Sequence, residues 1–352
     1  ANGSTITGSG SVVLGDRPDW TLNLHAGTLN LDNLLSRGAA ASNNGVNQQG
    51  QSQTRQLRPV IADNDFQRDY SSLRGFNARM TLADQLQWRG MNFTQVKSDI
   101  SNQQGLLTIN QMQGNLGGGQ LSLPGSLDAR GETPHASFKP QLDNVEIGTI
   151  LQAFDYSINL TGKLSLTGEF SGDKIDADEF RRSWQGQAQI QMKDTRTEGL
   201  NFQQLVQQAV ERSTNVQAQE NYDNATRLDD VSTELQLNNG LVTLKGLQGQ
   251  SELMALTGQG ELNLLKEECD MRFNVRVLGG WKGESKLIDR LKQTAIPLRI
   301  YGNWQTLSYS LQVDQILRKQ LQDEAKKRLN EWVERNKDTQ DGKDVKKLLD
   351  KL

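Results

Sequence analysis

The sequence predicts a mainly β fold with a few helices, elongated and assembled from repeated antiparallel meanders. Three observations predict it. Met271, Phe273, Val275 and Val277 alternate with Arg272, Asn274 and Arg276, a strand with one apolar and one polar face. Gly105–Gly114 (GLLTINQMQG) aligns without gaps to Gly240–Gly249 (GLVTLKGLQG), with five of ten positions identical. Apolar residues make up 35% of the 352-residue chain, aromatics 6%, and the mean hydropathy is −0.65. That is thin for a compact globule of this length. A single sheet covered on one face needs less apolar material.

Along the chain, Ile6–Leu14 reads as a strand, followed by a turn at 15–19 and by the alternating Trp20, Leu22 and Leu24. After Leu29 and Leu31 a short helical turn is expected, capped by Asn30 or Asp32. Residues 36–72 form a Gln/Asn/Gly-rich loop. It has too little apolar surface to offset its ordering entropy and is read as disordered. Leu73–Leu82 resumes the alternation, and Leu86, Trp88, Met91 and Phe93 continue it. Gly117-Gly118-Gly119 lacks the GK[ST] of a phosphate loop and reads as a sharp bend. One phrase recurs as LNLDNL, MNFTQV, VEIGTI and LNFQQL: a strand ending in a helical turn that plugs the sheet. A weak match between Gly15–Leu35 and Gly131–Leu151, three of 21 identical, carries two of its copies.

Ser157–Phe170 reads as a strand pair or one long strand, and residues near 176–184 as a helical turn. Leu200–Arg212 is a helix with apolar spacing at Phe202, Leu205, Val206, Ala209 and Val210, opened by Asn201 and Gln204. Asn239-Gly240 marks a hairpin. Another helical turn is expected at Lys286–Leu291, and two strands, Leu298–Tyr301 and Leu307–Leu311, close the sheet. A C-terminal amphipathic helix follows, with Leu317, Leu321, Ala325, Leu329 and Trp332 on one stripe and ion pairs Asp323/Lys327, Glu324/Arg328 and Glu331/Arg335. The division is therefore 1–35, a β-repeat read as continuing from an upstream part; 36–72, the loop; 73–312, the repeats with an inserted helix near 200–212; and 313–352, the C-terminal helix.

The net charge of −3 comes from 39 basic and 42 acidic residues, with no basic stripe to meet nucleic acid. Residues 315–352 are mildly basic, which suits either a solvated helix or anionic headgroups. Cys269 is the single cysteine, so no intrachain disulfide forms. His25 and His135 have no partners at metal-ligand spacing, and HExxH, CxxC and GxSxG are absent. No catalytic residue, metal or cofactor is expected, and the protein is read as a non-enzyme. The signal is distributed over apolar strand positions: Leu121, Leu123, Ile158, Leu160, Leu164, Leu166, Leu256, Leu262, Met271, Phe273, Val275 and Val277. Patterning leaves two arrangements open. Such faces pack together into a dry core, or one stays open as a groove for acyl chains.

Residues Gly90–Ala129 (GMNFTQVKSDISNQQGLLTINQMQGNLGGGQLSLPGSLDA) and Ile296–Leu329 (IPLRIYGNWQTLSYSLQVDQILRKQLQDEAKKRL) resemble the C-terminal part of the AsmA-like family of Gram-negative envelope proteins. The resemblance covers most of the chain except the Gln-rich loop. It implies a twisted β-groove with a hydrophobic interior, a periplasmic body, an inner-membrane anchor outside this chain, and a role in phospholipid transport and outer-membrane biogenesis. The expected partners are phospholipid acyl chains in the groove and envelope proteins at the C-terminal helix. The rival expectation is a scaffold factor for outer-membrane proteins, with a fully packed interior.

Overall fold

The computed structural model describes residues 4–15, 19–33, 70–175 and 177–350. Seventeen strands form one long mixed sheet. β1 (Ile6–Val13) pairs antiparallel with β2 (Asp19–Asn30), which pairs parallel with β3 (Phe76–Trp88). This parallel pair departs from the expected run of antiparallel meanders. Parallel neighbours need a long connection rather than a tight turn, and the Gln-rich segment supplies the chain length. Every later pairing is antiparallel. β4 (Met91–Gln103) and β5 (Leu106–Leu116) follow as hairpins. The next two positions are each split. β6 (Gly119–Ser122) and β7 (Gly125–Asp128) both lie against β5; β8 (His135–Phe138) pairs with β7, and β9 (Gln141–Glu146) with β6. β10 (Leu160–Gly172) pairs with both β8 and β9 and rejoins the halves.

From β10 the sheet runs on through β11 (Gln185–Glu198), with β12 (Gln217–Ala218) set apart, to β13 (Ala225–Asn238), β14 (Leu241–Gln250), β15 (Met254–Asn263) and β16 (Glu268–Val277). β17 (Trp281–Lys282) pairs only with β12, and β18 (Ile296–Asn303) and β19 (Thr306–Leu311) complete the main sheet. The repeated GLLTINQMQG and GLVTLKGLQG segments occupy equivalent places. Each begins at the glycine of a two-residue turn, Gln104-Gly105 (φ 48° and 101°) or Asn239-Gly240 (φ 51° and 84°), and fills the returning strand. Both turn residues are left-handed, the type I′ geometry that matches strand twist. Gly117-Gly118 (φ 54° and 77°) makes the same turn between β5 and β6, the bend expected of the triple glycine.

The helices are α1 (Ile147–Ala153), α2 (Ala177–Arg182), α3 (Phe202–Ser213), α4 (Lys286–Leu291), α5 (Val313–Arg335) and α6 (Gln340–Leu349). Caps define their starts. The Asn201 side chain accepts from the Gln204 N–H at 3.0 Å, and Ser285 accepts from the Ile288 N–H at 3.2 Å. Asn30 caps the short turn after β2, accepting from the Asn33 N–H at 2.9 Å. Asp32, the other possible cap, is buried and accepts instead from the Arg89 and Gly90 N–H groups.

The strand-then-helix phrase holds at VEIGTI and LNFQQL, and at LNLDNL as far as Asn33, the last described residue there. MNFTQV is different: it runs straight into β4, with Gln95 (φ 50°) at a bulge where the β4–β5 register shifts. Two strand limits also move. Leu73 lies in a 3-10 turn (Tyr70–Gly75), and Ile158 precedes β10. The disorder expected of the Gln-rich loop falls outside the described residues, except for its last three positions, which enter that 3-10 turn.

Three buried clusters line one face of the sheet. One gathers Leu29, Leu86, Phe93, Val96 and Val145 under α1. A second gathers Leu127, Trp184, Leu237 and Val242, with Phe180 of α2 and Leu73 packed against them. The largest gathers Leu256, Met271, Val275, Val277, Ile296 and Leu298 under Val206 and Val210 of α3, Ile288 and Leu291 of α4, and Val313 and Leu317 of α5. Leu244 and Leu262 pack against both the second and the third.

The apolar stripe of α5 does not stay on the sheet. Leu317, Leu321, Ala325 and Leu329 recur every fourth position and Trp332 follows three residues later, so at about 100° per residue the stripe spreads over about 120°. Leu317 is buried against the body, Leu321, Leu329 and Trp332 are 50%, 39% and 42% exposed, and Val333 is buried again. Helix α6 packs back against this distal part of α5. Of the ion pairs expected on α5, Glu331–Arg335 forms at 3.6 Å, and the side chain of Glu324 lies outside the described residues.

Candidate functional site

The strand registers convert alternation into rows that cross the sheet. One row passes from edge to edge. Its partners in sequence are Gly8, Leu24, Met80, Ile100, Ile109, Gly125 and Phe138, then Phe170, Gly186, Leu237, Val242, Leu262, Cys269, Gly302 and Leu307. No charged side chain interrupts it. Roughly fifteen strand positions at about 4.8 Å make it about 65–70 Å long. Only Leu237 and Val242 are fully buried; Leu24, Met80, Ile100, Ile109, Phe138 and Phe170 are half-buried.

Two of the four glycines in this row are aromatic seats. An added Cβ at Gly186 would lie 2.4 Å from a Phe170 ring carbon, and one at Gly125 would lie 2.4 Å from a Phe138 ring carbon. A side chain there would displace the ring lying across the neighbouring strand. The same pairing recurs at Gly258 and Phe273 in a parallel row. These glycines keep the face continuous.

Two further rows contain half of the twelve residues expected from sequence. Val145, Leu164, Met192, Val231, Gly249, Leu256, Val275 and Ile296 are successive partners, and nearly all are buried. Leu121, Leu142, Leu166 and Ile190 are successive partners ending opposite Thr233, and all four apolar members are half-buried. Beyond a bulge the series resumes with Leu247, Gly258, Phe273 and Leu298.

The twelve expected residues therefore separate. Leu164, Leu256, Met271, Val275 and Val277 are buried, the last four of them in the cluster under α3, α4 and α5. Leu121, Leu123, Ile158, Leu160, Leu166, Leu262 and Phe273 keep partial exposure. Leu123 sits between β6 and β7, and Leu160 starts β10 opposite Thr197. Phe273 lies against Phe202 of α3, with ring centroids 5.2 Å apart. Sequence reading missed Leu24, Met80, Ile100, Ile109 and Phe138. Only Phe138 carries a signal of its own, facing Gly125 one strand away; the other four join the row through register alone.

A cross-tie spans the apolar face where α1 ends. The Arg89 guanidinium donates to the Ala153 carbonyl at 2.9 Å and lies 5.1 Å from the Phe154 ring centroid. Arg181 of α2 donates to the Phe154 carbonyl at 2.5 Å and lies 4.7 Å from the Tyr156 ring centroid. Tyr156 meets Trp304 at 5.9 Å, and the Ser157 hydroxyl donates to Glu267 at 2.9 Å. Residues 153–157 thus join the β3–β4 hairpin to the hairpins after β15 and β18. Burial pushes the Tyr156 hydroxyl above its ordinary pKa.

The opposite face is polar. Thr167, Gln189, Glu234 and Lys245 are successive partners. Asp270 accepts from Arg299 at 2.8 Å, which holds its carboxyl below the usual range. His25 meets Thr81 and His135 meets Asp173, both at exposed positions. Burial raises the Cys269 thiol, which favours its uncharged form. Among the described residues there is no group of His, Cys, Asp and Glu that could hold a metal, and no helix is long and apolar enough to cross a membrane.

No solved structure matches this chain. The sequence model of the AsmA family matches residues 9–247. Protein AsmA of Escherichia coli (strain K12) is 58% identical over 355 aligned residues, covering 100% of this chain and 58% of that protein. The chain therefore spans little more than half the length of this curated relative. With a family match over more than half its residues and a whole-chain relative at this identity, the chain belongs to the AsmA family.

Proposed function

We propose that this chain is part of a non-enzymatic lipid-transfer protein of the bacterial envelope, holding phospholipid acyl chains along the apolar face and supporting biogenesis of the outer membrane. The full-length protein would work in the periplasm, attached to the inner membrane by an anchor outside this chain. The observation that carries the reading is the edge-to-edge row from Gly8 to Leu307, free of charge and half-buried over most of its length. Residues that only pack a core need no unbroken lane. An acyl chain moving between strands does, because each charged side chain in its path would have to be desolvated. Burial at about 25 cal/mol per Å² holds the chain without fixing its position, so sliding costs little. The polar face leaves headgroups and water outside the lane.

The test is photo-crosslinking in cells. A benzophenone side chain at Ile109, Leu166 or Phe170 is expected to capture phospholipid, detected by mass spectrometry after extraction; one at Gln189 is not. Absence of lipid adducts at all three lane positions, with none co-purifying, overturns the reading and favours the scaffold alternative.

A further inference from the structure

We propose that Arg89, Arg181, Tyr156 and Trp304 form a seat for the phosphodiester of a phospholipid headgroup, at the cross-tie above the apolar lane. Arg89 comes from the turn between β3 and β4 and Arg181 from α2, and they donate to the neighbouring carbonyls of Ala153 and Phe154. The two guanidiniums therefore meet at one point of the chain. Both residues are half-buried, and their partners among the described residues are neutral: those carbonyl oxygens and the rings of Phe154 and Tyr156. A guanidinium has several N–H donors, and each carbonyl engages one of them. A carbonyl satisfies a hydrogen bond but not a charge, and like charges brought together away from water repel. The carboxylates at the cross-tie do not offset both. Asp155 is exposed and has a partner of its own, and Glu267 accepts from the Ser157 hydroxyl. Even with Glu267 counted in full, one positive charge is left over, and a phosphodiester is a monoanion.

A second observation is independent of charge. The Trp304 indole N–H has no hydrogen-bond partner among the described residues, although Trp304 is only 8% exposed. Buried donors are nearly always paired, so this one marks a place for an acceptor. Its ring lies 5.9 Å from that of Tyr156, whose hydroxyl is held by burial in its protonated, donating form. Phosphate oxygens accept from guanidinium, indole and phenol alike. Trp88 and Phe154 pack against the cluster under α1, so a lipid whose phosphate rests here has apolar surface beside it for its acyl chains. The choice of a lipid headgroup over a free phosphate rests on the lipid-carrying reading above; the donor set does not.

The experiment is calorimetric titration of the purified chain with dihexanoyl phosphatidylglycerol, dihexanoylglycerol and inorganic phosphate, with lane crosslinking in parallel. The phosphatidylglycerol is expected to bind about tenfold or more tighter than the phosphate-free lipid, since charge-assisted hydrogen bonds are gained. Inorganic phosphate, without acyl chains, is expected to bind weakest. Arg89→Gln with Arg181→Gln should erase the preference for the phosphate-bearing lipid. Trp304→Phe keeps a ring and both arginine contacts, so it serves even where the double variant fails to fold; it should lower the preference by about threefold or more. Glu267→Gln should raise it by about the same factor, a gain that loss of structure does not produce. Equal binding of the two lipids, or a preference that survives these substitutions with circular dichroism unchanged, overturns the seat; where crosslinks at Ile109, Leu166 or Phe170 persist, the lane reading stands without it. Binding of neither lipid also overturns the seat, and with the crosslinks absent as well the lane reading falls too. Inorganic phosphate binding as tightly as the phosphatidylglycerol assigns the site to a free oxyanion and overturns the headgroup assignment.

Discussion

The roofed end of the sheet and its open middle carry the same strand pattern and end in different states. In β15, β16 and β18, Leu256, Met271, Val275 and Ile296 lie under α3, α4 and α5, and Val275 has no exposed surface. In β5, β6, β9, β10 and β11, Ile109, Leu121, Leu142, Leu166 and Ile190 point to the same face and remain half-buried. The strands do not differ in kind. The helices differ: three pack onto the C-terminal cluster, while the middle has α1 and α2 at its borders and the cross-tie at 153–157. Stability concentrates under the roof, and a lane survives where the roof is missing.

Large-to-small changes should separate the regions most sharply. Leu291→Ala, at 1% exposure beneath the roof, is expected to cost about 2–5 kcal/mol in urea unfolding. Leu166→Ala should cost less than half as much and instead reduce co-purified lipid. Equal losses at both sites would end the distinction between a packed and an open region. Gly186→Ala comes next, expected to cost about 1–3 kcal/mol because the new Cβ meets the Glu169 carbonyl at 2.3 Å and the Phe170 ring at 2.4 Å. Pairing it with Phe170→Ala should recover little, since the carbonyl contact stays. Asn201→Ala, which removes the cap of a roofing helix, should lower stability by about 1 kcal/mol, read from the thermal midpoint.

The smallest effect is that of pH. Arg79 beside Asp99, Lys282 beside Glu220, and Arg196 and Arg227 beside Asp223 hold those carboxyls below their ordinary values, and Arg130 holds Asp128 at about 2. A depressed folded pKa means that the unfolded chain binds protons first as pH falls. The stability these pairs supply is therefore full above the ordinary carboxylate range and lost through acid, down to about pH 2 for Asp128. All are exposed, so each should contribute little. Unfolding followed from pH 6 to pH 2 should decline gently at both ends of the molecule. A steep loss confined to the roofed end would contradict this.

Much of the fold was legible because its signals are local. The two-residue alternation at Met271–Val277 survives as β16, the glycine turns become hairpins, and Asn201 caps α3 through its own side chain. MNFTQV misled because three related phrases end strands while this one begins a strand; its six residues do not show which side of a turn they occupy. The stripe on α5 misled for a different reason. The spacing shows which residues share a face, not how far along the helix the body reaches: Leu321, one turn beyond buried Leu317, is already 50% exposed.

The sequence by itself determined the strands, their turns, the charge-free alternation and the absence of recognisable catalytic motifs, because these depend on residues a few positions apart. The tertiary structure decided which apolar residues are covered. Leu166 and Leu164 are two residues apart on one strand and one face, yet Leu164 is 6% exposed and Leu166 is half-buried. Burial depends on where segments far away in the chain come to rest, and so does the continuity of the lane, since Ile109, Phe138 and Leu262 become members of one row only through register. Alternation fixes which side of a sheet a residue faces; only packing fixes what it faces.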